Sequence, residues 1–181
     1  MMIAGMKKVA GLLVLCVWAT TASAVNIARV DVAPLETSKA YQQACASCHM
    51  LYAPSMLPAR AWKKIMSNLN NHFDDNAEVT AAVNDEVTAY LERNAAEHDR
   101  RRYAKSMLGL LNDGETPSAI SDTKYFKLMH DAVKPKMVLG NPDVRSFARC
   151  EACHSQAQEG KFNSIEAKIP NYFRKAGRFV H

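Results

Sequence analysis

The chain contains one five-residue pattern twice: CASCH, which starts at Cys45, and CEACH, which starts at Cys150. Residues three apart in a helical turn lie on one face, so both sulfurs of each pair can reach the same bound group. Cys-x-x-Cys-His is the attachment pattern of c-type haem, in which the adjacent histidine binds the iron. The sequence therefore predicts two covalent, thioether-linked haem c groups. Their cofactor-binding residues are Cys45, Cys48, Cys150 and Cys153, and their first iron ligands are His49 and His154.

Two other uses of paired cysteines explain the pattern less well. A redox-active Cys-x-x-Cys needs a thioredoxin-like βαβ setting, and the sequence has no convincing strand pattern. A zinc site built from both pairs would use all four cysteines but would leave the repeated histidine unexplained. The fifth cysteine, Cys16, lies in the N-terminal segment and is expected to be discarded with it.

The first 24 residues have the features of a secretory signal. Lys7 and Lys8 precede an uncharged apolar run over residues 9–19, and the segment ends in Ala22-Ser23-Ala24. The run is shorter than the about 20 residues that a membrane-spanning helix needs. We expect cleavage after Ala24 and a periplasmic product that is not itself membrane-spanning.

The charge balance argues against a polyanionic partner. The chain has 23 Lys and Arg against 18 Asp and Glu, a formal charge of +5, which falls to +3 without Lys7 and Lys8. This excess is too small to indicate nucleic-acid binding, so no nucleic-acid partner is expected. The haem propionates and ferric irons would bring the total to about +1, so strong electrostatic steering toward a partner is not expected either.

The second axial ligand of each iron decides what such a chain can do. A second protein ligand gives a six-coordinate electron carrier, whereas an open position allows a small ligand to bind. In PARAWKKIMSNLNNHF, a helix predicted to begin at Pro58 places His72 on the apolar face of Ile65 and Leu69 and runs to Phe73.

The stretch SDTKYFKLMHDAV has a similar pattern. Ser121 or Asp122 is the predicted helix cap, and His130 follows Phe126 by four residues. A histidine on an apolar face is more often a core residue than a ligand, but here two porphyrins each need an axial partner. We predict His72 and His130 as the distal ligands, and the residues alone leave open which haem each one binds.

Other candidate ligands are less well placed. His98 lies in the charged stretch AAEHDRRRY, and His181 is the terminal residue, where fraying is expected. Met107 follows His49 by 58 residues, a separation compatible with a small His/Met cytochrome.

The predicted fold is mainly α, with two small haem-binding units. The expected organisation is a signal peptide (1–24), an N-terminal haem c domain (25–112) and a C-terminal haem c domain (113–181), with HDRRRYAKS and NDGETPS as the boundary zone. The N-terminal stretch VNIARVDVAPLE is expected to be extended and loosely held. Further expectations are a helix from about Ser38 that ends at the first motif, a later helix capped by Asn84, and a helix from Asn141 that carries Cys150 and Cys153.

The chain resembles the bacterial soluble dihaem cytochromes c first described from purple photosynthetic bacteria. The resemblance is carried by CASCHMLYAPSMLPARAWKKIMSNLNNHF, YLERNA, TKYFKLMH and CEACH, and covers nearly the whole predicted mature chain. It implies bis-histidine, low-potential, low-spin haems, with His49 and His72 on the first iron and His130 and His154 on the second. It also implies an N-terminal unit like a small monohaem (class I-like) cytochrome c and a less regular C-terminal unit.

The resemblance also implies redox partners: a membrane b-type cytochrome, linked to quinol, and a small soluble haem protein. The chain departs from the family pattern at Asp74, where glycine is expected, and at Tyr125, where tryptophan is expected. These changes leave the ligands intact but affect what can be inferred about partners.

The expected function is electron transfer by a periplasmic, monomeric carrier that is not an enzyme. The alternative is a small dihaem peroxidase or reductase, or a ligand-binding haem protein, with one open axial site. Dihaem peroxidases are typically much longer chains, which favours the carrier.

Overall fold

The computed structural model describes residues 29–32, 38–175 and 178–180. The predicted signal peptide with Cys16, and the terminal His181, lie outside the described residues. Within those residues the chain forms five short α-helices and two antiparallel two-stranded ribbons, which confirms the mainly α fold. No helix in this part of the chain is long and apolar enough to cross a membrane.

The regular elements are short and are joined by turns. The helices are α1 (Lys39–Cys45), α2 (Ala59–Met66), α3 (Ala81–Arg93), α4 (Arg102–Leu108) and α5 (Lys124–Met129). The strands are β1 (Arg29–Asp31), β2 (Lys161–Asn163), β3 (Phe173–Lys175) and β4 (Arg178–Val180). Single 3₁₀ turns lie at Pro54–Met56, Leu69–Asn71, Ala96–His98, Ile120–Asp122, Pro135–Met137, Cys150–Ala152 and Ala157–Glu159.

Helices α1, α2 and α3 enclose the first hydrophobic core. Its buried side chains include Tyr41, Trp62, Val87 and Leu91, and each such burial contributes about 1.5–3 kcal/mol. The Trp62 ring nitrogen donates a hydrogen bond of 2.7 Å to the Pro54 carbonyl, so burial of the indole leaves no polar atom unpaired. This core fixes the C-terminal end of α1, where the first haem motif begins.

The starts of α1 and α3 test two predicted caps. The Ser38 hydroxyl accepts a hydrogen bond from the Tyr41 amide, as expected for a helix that begins there. The cap of α3 is Thr80, not Asn84. Asn84 lies inside α3, and its side-chain amide donates to the Met66 carbonyl at 3.0 Å, so it joins α3 to the end of α2.

The second hydrophobic cluster brings distant parts of the chain together. Val32, Met56, Tyr103 and Met107 are buried in it, and partly buried residues such as Phe162 pack against it. Strand β1 pairs antiparallel with β2, and the Val32 amide donates to the Gly160 carbonyl at 2.9 Å. Over residues 29–32 the N-terminal segment is therefore extended as predicted, but it is paired rather than loosely held.

The C-terminal part is irregular, and the predicted helix from Asn141 to Cys153 is wrong. Turns occupy residues 141–149, and only the short 3₁₀ turn follows. The Asn141 side chain is buried and donates to the carbonyls of Met137, at 3.2 Å, and Pro170, at 2.7 Å. It forms these hydrogen bonds with backbone groups of two separate segments instead of capping a helix.

Candidate haem sites

The two cysteines of each motif lie one turn apart. The Cys48 amide donates to the Cys45 carbonyl at 3.4 Å, and the Cys153 amide donates to the Cys150 carbonyl at 3.2 Å. Burial, with a smaller contribution from the Cys48 charge, raises the pKa of Cys45 to about 11. Burial and then the Glu151 carboxylate raise the pKa of Cys150 to about 12. In the unmodified chain these two sulfurs are therefore neutral thiols at physiological pH.

The first motif brings His49 to face His72. Their ring centroids are 6.2 Å apart, and the ring planes are inclined by 29°. The Nδ1 atom of His49 donates a hydrogen bond of 2.6 Å to the Met50 carbonyl. Because Nδ1 carries the proton, Nε2 has a free lone pair, which is the tautomer that a metal-binding histidine requires.

His72 does not lie on a helix, so the predicted helix to Phe73 is wrong. Helix α2 ends at Met66, and a tight turn carries His72: its amide and carbonyl are hydrogen-bonded to the backbone of Asp75 at 2.7 and 3.2 Å. The turn needs positive φ at Phe73 (55°) and Asp74 (71°). The short polar side chains of the SNLNN stretch explain the end of the helix, since they compete for backbone hydrogen bonds.

The second motif brings His154 to face His130. Their ring centroids are 6.1 Å apart, and their planes are inclined by 82°. His130 lies at the C-terminal end of α5, where its Nδ1 donates to the Phe126 carbonyl at 2.9 Å and its ring stacks on the Phe126 ring at 4.0 Å. Both contacts fix the imidazole plane and leave Nε2 of His130 free to bind a metal.

Helix α5 begins later than predicted. The cap is Thr123, whose hydroxyl accepts from the Phe126 amide at 3.1 Å and donates to the Ile120 carbonyl at 2.8 Å. Ser121 and Asp122 lie in or beside the preceding 3₁₀ turn instead. The predicted spacing of His130 from Phe126 is nevertheless retained, because both residues belong to the same turn.

A cavity of about 350 Å³ is lined by the second histidine pair and by the cysteines of the second motif. Its walls include His130, His154, Cys150 and Cys153; the other wall residues are mostly apolar, among them Phe126, Leu128, Met129, Phe147, Phe162 and Ile169. Such a volume is typical of a pocket for a small organic group. Leu128 and Met129, about half exposed in the chain alone, lie where a bound group would cover them.

Three of the histidines in the two pairs have pKa values that suit metal binding. Burial lowers the pKa of His130, and burial together with the His130 charge lowers the pKa of His154 to about 4. Burial and then the His49 charge lower the pKa of His72. These rings are therefore neutral at physiological pH, as iron ligation requires. The Nδ1 atom of His154 is buried and has no hydrogen-bond partner among the described residues.

The spacing of both ring pairs fits an iron between them. An imidazole nitrogen binds a first-row transition metal at about 2 Å, and its ring centroid lies about 1 Å further away. Two imidazoles on opposite sides of one metal therefore have centroids about 6 Å apart. The observed 6.2 and 6.1 Å agree with this value. The residues present thus fit a haem with two histidines at each motif.

The other candidate residues lie elsewhere. Met107 is completely buried in the second hydrophobic cluster, and His98 is exposed. Among the described residues, no three or more His, Cys, Asp or Glu side chains gather into a site for a bare metal ion. This observation disfavours the zinc alternative, which would need both cysteine pairs in one place.

Sequence reasoning missed Tyr52. Its ring stacks on the His49 ring, with centroids 4.9 Å apart and planes inclined by 26°, and its hydroxyl donates to the Ala148 carbonyl at 2.7 Å. Burial, and then the charges of Cys150 and Glu151, raise the pKa of Tyr52, so the hydroxyl stays protonated as a donor. Its position three residues after His49 indicates a place near the first site. Nothing in the neighbouring sequence, however, indicates its hydrogen-bond partner, the Ala148 carbonyl, 96 residues away.

Comparison with known proteins decides the family. A family model described as dihaem cytochrome c matches residues 41–162, which is more than half of the chain. The chain belongs to this family. As a dihaem cytochrome c it carries two haem c groups, and its family implies electron transfer. No curated protein gives a significant match.

Solved structures of dihaem cytochromes c are similar over most of the chain. A dihaem cytochrome c from Rhodobacter sphaeroides is 36% identical, with a TM-score of 0.61; the match covers 72% of this cytochrome and 100% of that chain. The dihaem cytochrome type c from Shewanella baltica OS155 is 33% identical, with a TM-score of 0.59, and the match covers 74% and 93%. This dihaem cytochrome therefore shares both fold and sequence with its relatives.

Proposed function

We propose that this dihaem cytochrome is a periplasmic electron carrier in which His49 and His72 ligate one iron and His130 and His154 the other. The observation that carries the proposal is the 6.1–6.2 Å separation of the rings in each pair. Direct pairing within each half is favoured over exchange of His72 and His130 between the haems, because each distal histidine faces the motif histidine of its own half.

The side chains around the sites are those expected for electron transfer rather than catalysis. If His49 with His72 and His130 with His154 hold the two irons, no position on either iron would be free for a substrate. The haem supplies the one-electron chemistry when bound. The Met50 and Phe126 carbonyls orient the rings of His49 and His130, and the apolar walls of the second cavity exclude water. A fixed, dry site changes little when an electron arrives or leaves, which favours fast transfer.

The visible spectrum of the holoprotein, with and without carbon monoxide, tests this ligand set. We expect two low-spin haems in both oxidation states and no carbon monoxide adduct. His72→Ala should make one haem high-spin and His130→Ala the other, and each variant should bind one carbon monoxide per chain when reduced. The matched control is His98→Ala, which removes an exposed histidine and should leave both haems unchanged.

Two results would contradict the carrier assignment. One is a high-spin band, or ready carbon monoxide binding, in the native reduced protein, which would indicate an open site as in a peroxidase or gas-binding protein. The other is a His72→Ala or His130→Ala variant in which both haems stay low-spin. The second result would mean that another residue is the distal ligand.

Export and partners form the remaining part of the proposal. The family resemblance supports a monomer that relays electrons from a quinol-linked membrane b-type cytochrome to a small soluble haem protein. Two measurements test these points: the N-terminal residue of the purified protein, which should be Val25, and its rate of reduction by membranes that contain the b-type cytochrome. A product that retains residues 1–24, or membranes that fail to reduce the protein, would contradict the respective part.

A further inference from the structure

Tyr52 contacts the first haem site and the segment that leads into the second motif. Its ring stacks on the imidazole of His49, the motif histidine of the first site. Its hydroxyl donates to the Ala148 carbonyl, and the same carbonyl accepts a hydrogen bond from the Cys150 amide at 3.1 Å. One side chain and one carbonyl thus connect the first histidine to the residue that attaches the second haem.

The position of Tyr52 is fixed from several directions. Its own carbonyl accepts a hydrogen bond of 3.0 Å from the hydroxyl of Tyr41, which is buried in the first core. Its ring packs against both hydrophobic clusters. A ring held at its backbone, at its faces and at its hydroxyl has little freedom to rotate, so a shift at either end is transmitted to the other.

We propose that Tyr52 is a positioning residue that couples the two haem sites. Its ring sets the plane of the His49 imidazole, and its hydroxyl fixes that ring to the segment that carries Cys150. The inference rests on the proposed function, specifically on His49 as an iron ligand. Tyr52 is not itself oxidised: one electron leaves one haem and reaches the other, and the tyrosine keeps its proton.

The coupling has a physical consequence for the redox equilibrium. The orientation and hydrogen bonding of an axial histidine tune the potential of its iron. Freeing the Tyr52 ring changes both the His49 plane and the surroundings of Cys150. The distribution of one electron between the two haems should therefore depend on the Tyr52 hydroxyl, although this hydroxyl touches neither iron ligand.

The experiment compares holoprotein variants with both haems attached. Tyr52→Phe keeps the ring and removes only the hydroxyl, and Tyr52→Leu also removes the stacking. The control is Thr116→Val, which also removes a hydroxyl that donates to a backbone carbonyl, that of Gly114 at 3.2 Å, but at a residue that does not line the second cavity. The readouts are carbon monoxide binding, the two midpoint potentials, and the electron paramagnetic resonance signal of the His49 haem.

We expect all variants to stay low-spin and to bind no carbon monoxide, which separates this test from failure of the proposed function. In Tyr52→Phe the equilibrium constant for electron exchange between the haems should change severalfold, up to about tenfold, or ~59 mV in the separation of the midpoints. The signal of the His49 haem should also shift or broaden. Tyr52→Leu should change both readouts more than Tyr52→Phe does, and Thr116→Val should match the wild type in both.

Three outcomes would overturn the inference. Tyr52→Phe could match the wild type in potentials and resonance signal, so that the hydroxyl couples nothing. Thr116→Val could shift them equally, so that the effect comes from loss of any buried or partly buried hydroxyl and not from Tyr52 in particular. Tyr52→Phe could fail to retain both haems, so that Tyr52 serves assembly rather than positioning.

Discussion

The imidazole rings of His130 and His154 face each other at a centroid distance of 6.1 Å with their planes nearly perpendicular, at 82°. The other pair has nearly the same separation but an angle of only 29°. The first angle has a local cause, since the His130 ring is stacked on Phe126 and hydrogen-bonded to its carbonyl. The two proposed iron sites are therefore chemically alike but differ in ligand orientation.

This difference predicts two distinct signals in the electron paramagnetic resonance spectrum of the oxidised protein. Near-parallel imidazoles interact mainly with one of two iron d orbitals and separate their energies, whereas perpendicular imidazoles interact with both equally and leave them close in energy. We expect a rhombic low-spin signal from the His49 haem and a strongly anisotropic one from the His154 haem. His130→Ala should abolish only the second. Two rhombic signals of the same shape would contradict the observed ring angles.

Asp74 lies in a backbone conformation that disfavours it. Its φ of 71° is in the left-handed region, where glycine carries no steric cost. The resemblance to dihaem cytochromes leads us to expect glycine at this position, and the turn supplies the reason. Asp74→Gly should raise the free energy of unfolding by about 0.5–1 kcal/mol, somewhat reduced by the greater entropy of glycine in the unfolded chain.

The neighbouring aspartate provides the control for this prediction. Asp75 is in the same turn but is not among the residues with positive φ, so Asp75→Gly should lower the free energy of unfolding through backbone entropy alone. Chemical denaturation of both variants, monitored by the haem absorbance, measures the two effects. A stabilising Asp75→Gly, or a destabilising Asp74→Gly, would show that the conformation of the turn does not control stability here.

Patterns in neighbouring residues were sufficient to predict the haem motifs and some helix starts, but not the backbone that carries the distal histidines. The motif pairs and the helix start at Ser38 depend on adjacent residues, so the sequence alone predicts them. The candidate distal histidines lie opposite the motif histidines, but the assumed continuous helices were wrong. His72 is carried by a turn, because polar residues end α2 early and long-range packing, rather than periodicity, determines its position.

No pattern in neighbouring residues predicted the hydrogen bonds between distant segments. Strand β1 has three residues, and its pairing with β2 joins positions 130 to 134 residues apart. The Tyr52 hydroxyl and the Ala148 carbonyl are likewise brought together only by the complete fold. The prediction of a helix over residues 141–153 was wrong, although Asn141 followed by Pro142 is a common helix start. In the structure the side-chain amide of Asn141 donates hydrogen bonds to two backbone carbonyls instead.

Thr123 holds the start of α5, the helix whose last turn orients His130. It is completely buried, and its hydroxyl both caps α5 and donates to the Ile120 carbonyl. Loss of an N-cap lowers the free energy of unfolding by about 0.5–2 kcal/mol, which is a large effect for a helix of only six residues. Thr123→Ala should lower the melting temperature of the holoprotein by several degrees and allow carbon monoxide to bind slowly at the second haem.

Thr123→Ser is the matched control, because it keeps the hydroxyl and removes only a methyl group. It should behave like the wild type toward carbon monoxide. If both variants bind carbon monoxide equally, packing of the methyl group rather than the cap holds His130 in place. If neither does, α5 is fixed by its other contacts and the cap has no role in ligation.

The cavity beside His154 makes the C-terminal half depend on its haem. An empty apolar cavity of about 350 Å³ would cost several kcal/mol, comparable with the whole stability of a small domain. The double variant Cys150→Ala, Cys153→Ala should therefore expose residues 113–175 to limited proteolysis. The first core, which contains Trp62 and Leu91, should stay protected, because its buried side chains come only from α1, α2, α3 and the segments beside them.

The reciprocal variant, Cys45→Ala with Cys48→Ala, provides the comparison. Its first cleavage sites should fall within residues 38–112, since the second haem still fills its cavity. Mass spectrometry of the early fragments distinguishes the two patterns. If both variants lose protection throughout the chain at once, the β1–β2 pairing and the second hydrophobic cluster make one cooperative unit, and a division into 25–112 and 113–181 does not describe how this cytochrome unfolds.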